Sequence, residues 1–143
     1  MKNLYSPSML KSYLSCKYTI FNEVNEKKLN LKKIELSKND QLRLEKGNIH
    51  EKEYLKELKK KYKKVIDLKN SKLSKEEKVP KTIQAMKEGW EVIHGGYLKR
   101  DNWRGEFDFL IINKDLKSKF GDYSYEVIDT KNSNKPKPDH IIQ

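Results

Sequence analysis

Tyr125-Glu126-Val127-Ile128-Asp129-Thr130-Lys131, taken with Gly105-Glu106-Phe107-Asp108, decides how the fold of this chain is read. The first run is rich in β-branched and aromatic residues and reads as part of a strand over residues 123–131. Along a strand, alternate positions share a face. Asp129 and Lys131 therefore point the same way, with Val127 and Tyr125 behind them, while Glu126, Ile128 and Thr130 point the other way. The second run opens a strand over residues 105–112, in which Phe107, Phe109 and Ile111 alternate with Asp108, Leu110 and Ile112. If the two strands pair through the 113–122 connection, Asp108 comes beside Asp129.

Working outward, residues 92–98 read as a strand carrying the glycine pair Gly95-Gly96, and Asn102-Trp103-Arg104-Gly105 suits a hairpin turn. Helices precede this meander. Ser6-Pro7 reads as an N-cap followed by proline in the first turn, and Leu10, Tyr13 and Leu14 mark an amphipathic helix over residues 7–18. A second helix is expected over residues 40–61, with Ile49, Leu55, Leu58 and Tyr62 on its apolar stripe. Gly47 interrupts it, marking close packing or a break between two helices. Val65-Ile66-Asp67-Leu68 reads as a short edge strand, residues 69–80 as an exposed loop, and residues 82–88 as a short helix capped by Thr82 and ended by Gly89. After a loop at residues 132–138, Asp139 is placed to cap a last helix. The expected class is α+β, with helices packed on a mostly antiparallel sheet.

Composition bounds the rest. The chain has 143 residues, of which 35% are apolar and 37% charged, so one domain with a modest core is expected. No apolar run reaches membrane-spanning length and the first residues lack a signal-peptide core, which predicts a cytoplasmic protein with no membrane partner. The formal net charge is +11, with 32 Lys+Arg against 21 Asp+Glu. Such a balance favours polyanions, although a lysine, asparagine and isoleucine bias also arises from composition alone. Cys16 is the only cysteine, which excludes an internal disulfide or an all-cysteine zinc site. It is expected to be a small buried apolar residue.

The chemistry rests on the carboxylates. Two acidic groups brought together repel unless a cation lies between them. Mg²⁺ or Mn²⁺, hard and oxygen-seeking, suits that place and can activate water against a phosphodiester. Lys131 would stand beside the water or the scissile phosphate and stabilise developing negative charge. The competing reading of Asp129-Thr130-Lys131 is a surface ion pair worth less than about 1 kcal/mol. Against it, both acids end or begin apolar runs. His94 reads as a structural or solvated histidine rather than a ligand, and His140 as solvated or capping rather than a phosphate contact. Trp90, Trp103 and Tyr97 read as packing residues that also offer stacking faces. The lysines at 59–61 and 63–64 read as a solvated helix face.

Gly47-Asn48-Ile49-His50-Glu51, Gly105-Glu106-Phe107-Asp108, Asp129-Thr130-Lys131 and Gln143, in this order and spacing, resemble the RecB-like branch of the PD-(D/E)XK nucleases. The opening Ser6-Pro7-Ser8-Met9-Leu10 through Tyr13-Leu14-Ser15-Cys16 is also similar to that branch, as are Thr82 through Gly89. The resemblance covers nearly the whole chain. It implies a restriction-endonuclease-like core and Mg- or Mn-dependent hydrolysis of DNA. It also implies fusion to, or association with, helicase or other nuclease modules. Asp108 and Asp129 would be metal ligands, Lys131 the catalytic lysine, and the Thr130 carbonyl a further metal contact. His50 or Glu51 would supply the helix ligand, the choice being open because adjacent helix residues point about 100° apart. Gln143 would open a substrate-binding helix whose remainder lies beyond the chain, so a truncated domain is expected. Some relatives carry an iron–sulfur cluster held by four cysteines; with Cys16 alone, no cluster is expected.

Overall fold

A computed structural model describes residues 4–131. It is α+β, and its order is α1 (Pro7–Ser15), α2 (Lys17–Asn25), α3 (Lys38–Lys61), β1 (Val65–Asp67), α4 (Lys75–Lys87), β2 (Val92–His94), β3 (Tyr97–Arg100), β4 (Trp103–Glu106), β5 (Phe109–Asn113) and β6 (Ser124–Ile128). The main sheet has the order β1-β2-β5-β6. β1 and β2 are parallel, and β5 runs antiparallel to both β2 and β6. The sheet is thus mixed, with β1 at its edge. The β3–β4 hairpin forms a separate ribbon inserted between β2 and β5.

Each sheet face carries its own apolar cluster. Leu55 and Leu58 of α3 pack with Val92 and Phe109, joined by Tyr54, Ile111 and Ile128. Ala85 and Met86 of α4 pack on the opposite face with Leu68, Ile93 and Leu110, joined by Phe107 and Tyr125. Strand alternation produces this division, since Ile93 and Leu110 face α4 while Val92 and Phe109 face α3. Tyr123 and Tyr125 then tie β6 to the end of α4. Their hydroxyls donate to the carbonyls of Met86 and Trp90 at 2.9 and 2.7 Å respectively.

Several expected boundaries move. The first helix breaks at Cys16, whose extended backbone (φ −162°, ψ 115°) caps α2. Cys16 is exposed there, not buried. α4 starts seven residues before the expected Thr82, because Ser74 and Glu77 form a reciprocal capping box. Pro80 lies inside that helix without ending it. Thr82 is fully buried, and its hydroxyl accepts from the Tyr97 N–H at 3.1 Å. Gly89 does end the helix, with φ +66°. The Trp90 N–H reaches the Ala85 carbonyl at 3.1 Å and the Gly89 N–H reaches Met86 at 3.3 Å, a Schellman arrangement.

The strand expected over residues 92–98 divides at its glycine pair into β2 and β3. Gly95 has φ +63°, and a β-carbon there would run into the backbone of Lys69. The strand expected over 105–112 bends at Phe107-Asp108, so Phe107 packs on the α4 side and Phe109 on the α3 side. The hairpin turn falls at Asp101-Asn102, earlier than expected, with Asp101 at φ 53°.

α3 continues through Gly47 without a break, and nothing lies within 4 Å of an added β-carbon there. Gly47→Ala therefore stabilises the protein by about 0.5–1 kcal/mol, the helix-interior penalty of glycine. Gly95→Ala is destabilising by more than that gain, because φ and space both oppose it. Urea denaturation of the two variants checks both signs.

Candidate active site

Four ionisable residues gather at one end of the sheet. β1, β2 and β6 run in the same direction; β1 and β2 close on two apolar residues and an ionisable one, Val65-Ile66-Asp67 and Val92-Ile93-His94, and β6 ends on Val127-Ile128 with Asp129 next in the chain. Asp108 precedes β5, which runs the opposite way and so begins at that same end. In register, Asp67 pairs His94, His94 pairs Phe109, and Phe109 pairs Ile128. One step further out, the Gly95 N–H donates to the Asp108 carbonyl at 2.8 Å.

Extending the Phe109–Ile128 couple by one residue sets Asp108 opposite Asp129. Asp108 and Asp129 lie close enough for the charge of one to act on the carboxyl of the other. Burial pushes the Asp129 carboxyl up, the Lys131 ammonium pulls it down, and the Asp108 charge pushes it up again; the net is upward. Lys131 Nζ lies 2.7 Å from Asp129 Oδ2. The backbone N–H and the hydroxyl of Thr130 both donate to Asp108 Oδ2 at 2.8 Å. One Asp108 oxygen is therefore oriented by Thr130, and Asp129 is held between Asp108 and Lys131. Tertiary structure thus brings Asp108, Asp129, Thr130 and Lys131 together.

The helix residues go elsewhere. His50 is exposed on α3, while Glu51 is turned inward and buried. Glu51 Oε1 accepts from His94 Nε2 at 2.7 Å, and its other oxygen is bonded to Lys69 Nζ. Both oxygens of Glu51 are thereby engaged. Among the described residues, no three or more His, Cys, Asp or Glu side chains are arranged to hold a metal ion. Neither His50 nor Glu51 therefore completes a three-residue set with Asp108 and Asp129. Gln143, His140 and Asp139 lie outside the described residues.

His94 centres a network that its sequence reading as a structural or solvated residue did not resolve. The ring is 2% exposed, stacks on Phe109 with centroids 4.7 Å apart, and meets Asp67 Oδ1 through Nδ1 at 2.9 Å. A carboxylate only accepts, so both contacts are satisfied when each ring nitrogen carries a proton. Burial pushes the Asp67 carboxyl up, but hydrogen bonds from Asn70 and the charge of His94 outweigh it and hold it below the usual range. The signal that points to this network is the thrice-repeated pattern of two β-branched residues followed by an ionisable one. Trp90 packs against the α4-side cluster and Tyr97 is buried, while Trp103 stays exposed.

The described residues contain no helix long and apolar enough to cross a membrane. No family model, curated protein or solved structure matches this chain.

Proposed function

We propose that this chain is a metal-dependent nuclease of the RecB-like, PD-(D/E)XK type that hydrolyses DNA phosphodiester bonds, built on a restriction-endonuclease-like core. The observation that carries the reading is the Asp108–Asp129 carboxylate pair with Lys131 against it. Two carboxylates crowded until one takes up a proton more readily form a hard-oxygen donor set that a divalent cation relieves. Mg²⁺ fits such a set because it keeps several waters and needs only one or two protein carboxylates beside a substrate phosphate. Asp108, Asp129 and the Thr130 carbonyl would hold Mg²⁺ or Mn²⁺, which supplies a more acidic water and polarises the phosphate.

The chain's own groups have defined tasks. Thr130 fixes the direction of one Asp108 oxygen through two donated bonds. Lys131, which pairs with Asp129 at 2.7 Å, would hold the attacking water or a non-bridging phosphate oxygen. The basic balance of the chain favours a nucleic-acid substrate. Association with a helicase or another nuclease module belongs to the same proposal.

A second reading draws on the Lys131–Asp129 ion pair and the two-carboxylate count: a nucleic-acid-binding module that does not cut. The two are separated by incubating labelled single- and double-stranded DNA with Mn²⁺ or EDTA. The nuclease reading expects Mn²⁺-dependent products that EDTA suppresses. It also expects Lys131→Ala to lower the rate by about 100-fold or more, with a smaller change in DNA affinity. Binding without any products in Mn²⁺ leaves the second reading.

A further inference from the structure

The β3–β4 hairpin carries a charge arrangement that the carboxylate site does not use. Lys99 and Arg104 are directly opposite in the ribbon's register, on the face that also carries Tyr97 and Glu106. Both are exposed, and neither side chain has an ion-pair or hydrogen-bond partner among the described residues. Like charges directly opposite each other destabilise a two-stranded ribbon. An anion lying across both removes that repulsion.

The surroundings extend the same sign of charge. Two grooves of about 260 and 240 Å³ adjoin at Tyr97 and Arg104. The first is walled by the start of α1 at Ser6–Ser8 and by Lys75, whose ammonium lies 5.7 Å from the centre of the Tyr97 ring. The second is walled by Lys99 and by the first half of α4. Glu106 opposes this charge, but its carboxylate faces Lys78 at 3.4 Å and Lys75 at 4.0 Å. Counting Glu76 as well, four cations stand against two carboxylates.

We propose that this face is a track for the phosphodiester backbone of a nucleic-acid strand, with Lys99 and Arg104 each on a phosphate. The proposal rests on the nuclease reading for its direction. Tyr97 and Glu106 form the hairpin's last couple, the Phe107 N–H donates to the Gly96 carbonyl at 3.3 Å, and Asp108 follows at once. The open end of the ribbon therefore joins the segment that carries Asp108. Arginine suits this role because its planar fork grips phosphate oxygens in pairs.

The test is fluorescence anisotropy of a short labelled single-stranded DNA in EDTA, across a salt series. Wild type is compared with Lys99→Gln/Arg104→Gln, and with Lys28→Gln/Arg43→Gln as a control of equal charge. The track predicts an affinity loss of about tenfold or more for the hairpin variant, and a log–log salt slope flatter by about 1.4 for two lost phosphate contacts. The control is expected to stay within about twofold of wild type. Lys99→Gln alone, at an exposed position, shows a partial loss without endangering the fold. A hairpin variant that binds like wild type, or a control that loses as much, overturns the track. So does binding of inorganic pyrophosphate by wild type without binding of the oligonucleotide. Absence of cleavage in Mn²⁺ with hairpin-sensitive binding sinks the nuclease reading alone. Cleavage with an unchanged KM in the hairpin variant sinks the track alone.

Discussion

On the nuclease reading, Asp108→Asn is expected to remove nearly all metal-dependent cleavage while leaving the metal-free protein at least as stable as wild type. The two effects have opposite signs because Asp108 has two relations to its neighbours. Toward a cation it is an anionic oxygen, and an amide oxygen is a much poorer ligand; a rate loss of at least about 100-fold is expected. Toward Asp129 it is a like charge, and its removal relieves repulsion. The Thr130 bonds survive, since the asparagine oxygen accepts from both the N–H and the hydroxyl.

The stability change also has a pH signature. In the folded protein the Asp129 carboxyl is raised above its ordinary value of 3.8, by burial first and by Asp108 among the later causes. A raised carboxyl contributes stability that is fully present below the unfolded value and is lost as pH rises through the folded one. With the Asp108 charge gone, less is lost. The stability difference in favour of Asp108→Asn therefore widens as pH rises from 3.8 through the raised folded value. Urea denaturation in EDTA at several pH values measures it. A variant less stable than wild type across that range shows that Asp108 is chiefly structural, and undiminished cleavage removes it from the site.

His94→Ala lowers stability by about 3–5 kcal/mol, the range for breaking a buried charge network by deleting one member. The substitution strips Glu51 of its partner at 2.7 Å and Asp67 of its partner at 2.9 Å, and it removes the ring stacked on Phe109. Glu51 suffers most, because its side chain is 9% exposed and keeps only Lys69. A loss of that size is a large share of an ordinary domain's stability of about 5–15 kcal/mol. Replacing both partners, as Glu51→Leu/His94→Leu, recovers much of it, since an apolar pair leaves no unpaired charge in the interior. Asp67 tolerates the change better, because Asn70 still donates to it through side chain and backbone. Urea midpoints of the single and double variants decide the point. A His94→Ala loss below about 1 kcal/mol shows that water reaches the two carboxylates and that the network is not sealed.

Particular residues show why some features were legible in the sequence. Val127, Ile128 and Asp129 follow strand chemistry, and the Asp108–Asp129 pairing needs only antiparallel register across a single connection. Gly89 announced the end of α4, because few residues other than glycine adopt its left-handed backbone. The start of α4 was hidden by Pro80, which reads locally as a breaker, while the Ser74–Glu77 capping box that overrides it depends on a reciprocal pair of side-chain bonds. The bend at Phe107-Asp108 was hidden because an alternating run gives no sign of where a strand changes sheets.

What the sequence determined by itself is the α+β class, the antiparallel approach of the Asp108 and Asp129 segments, and the basic character of the chain. These follow from short-range periodicity and from counting, which need no knowledge of distant contacts. Only the tertiary structure decided that Glu51 turns inward to His94 and Lys69 while His50 faces solvent. The physical reason is that a helix offers both directions at adjacent positions, and only the surface it packs against selects one. The same holds for His94: its neighbours in the chain are apolar, and the two carboxylates that hold it come from β1 and α3, which only folding brings to its sides.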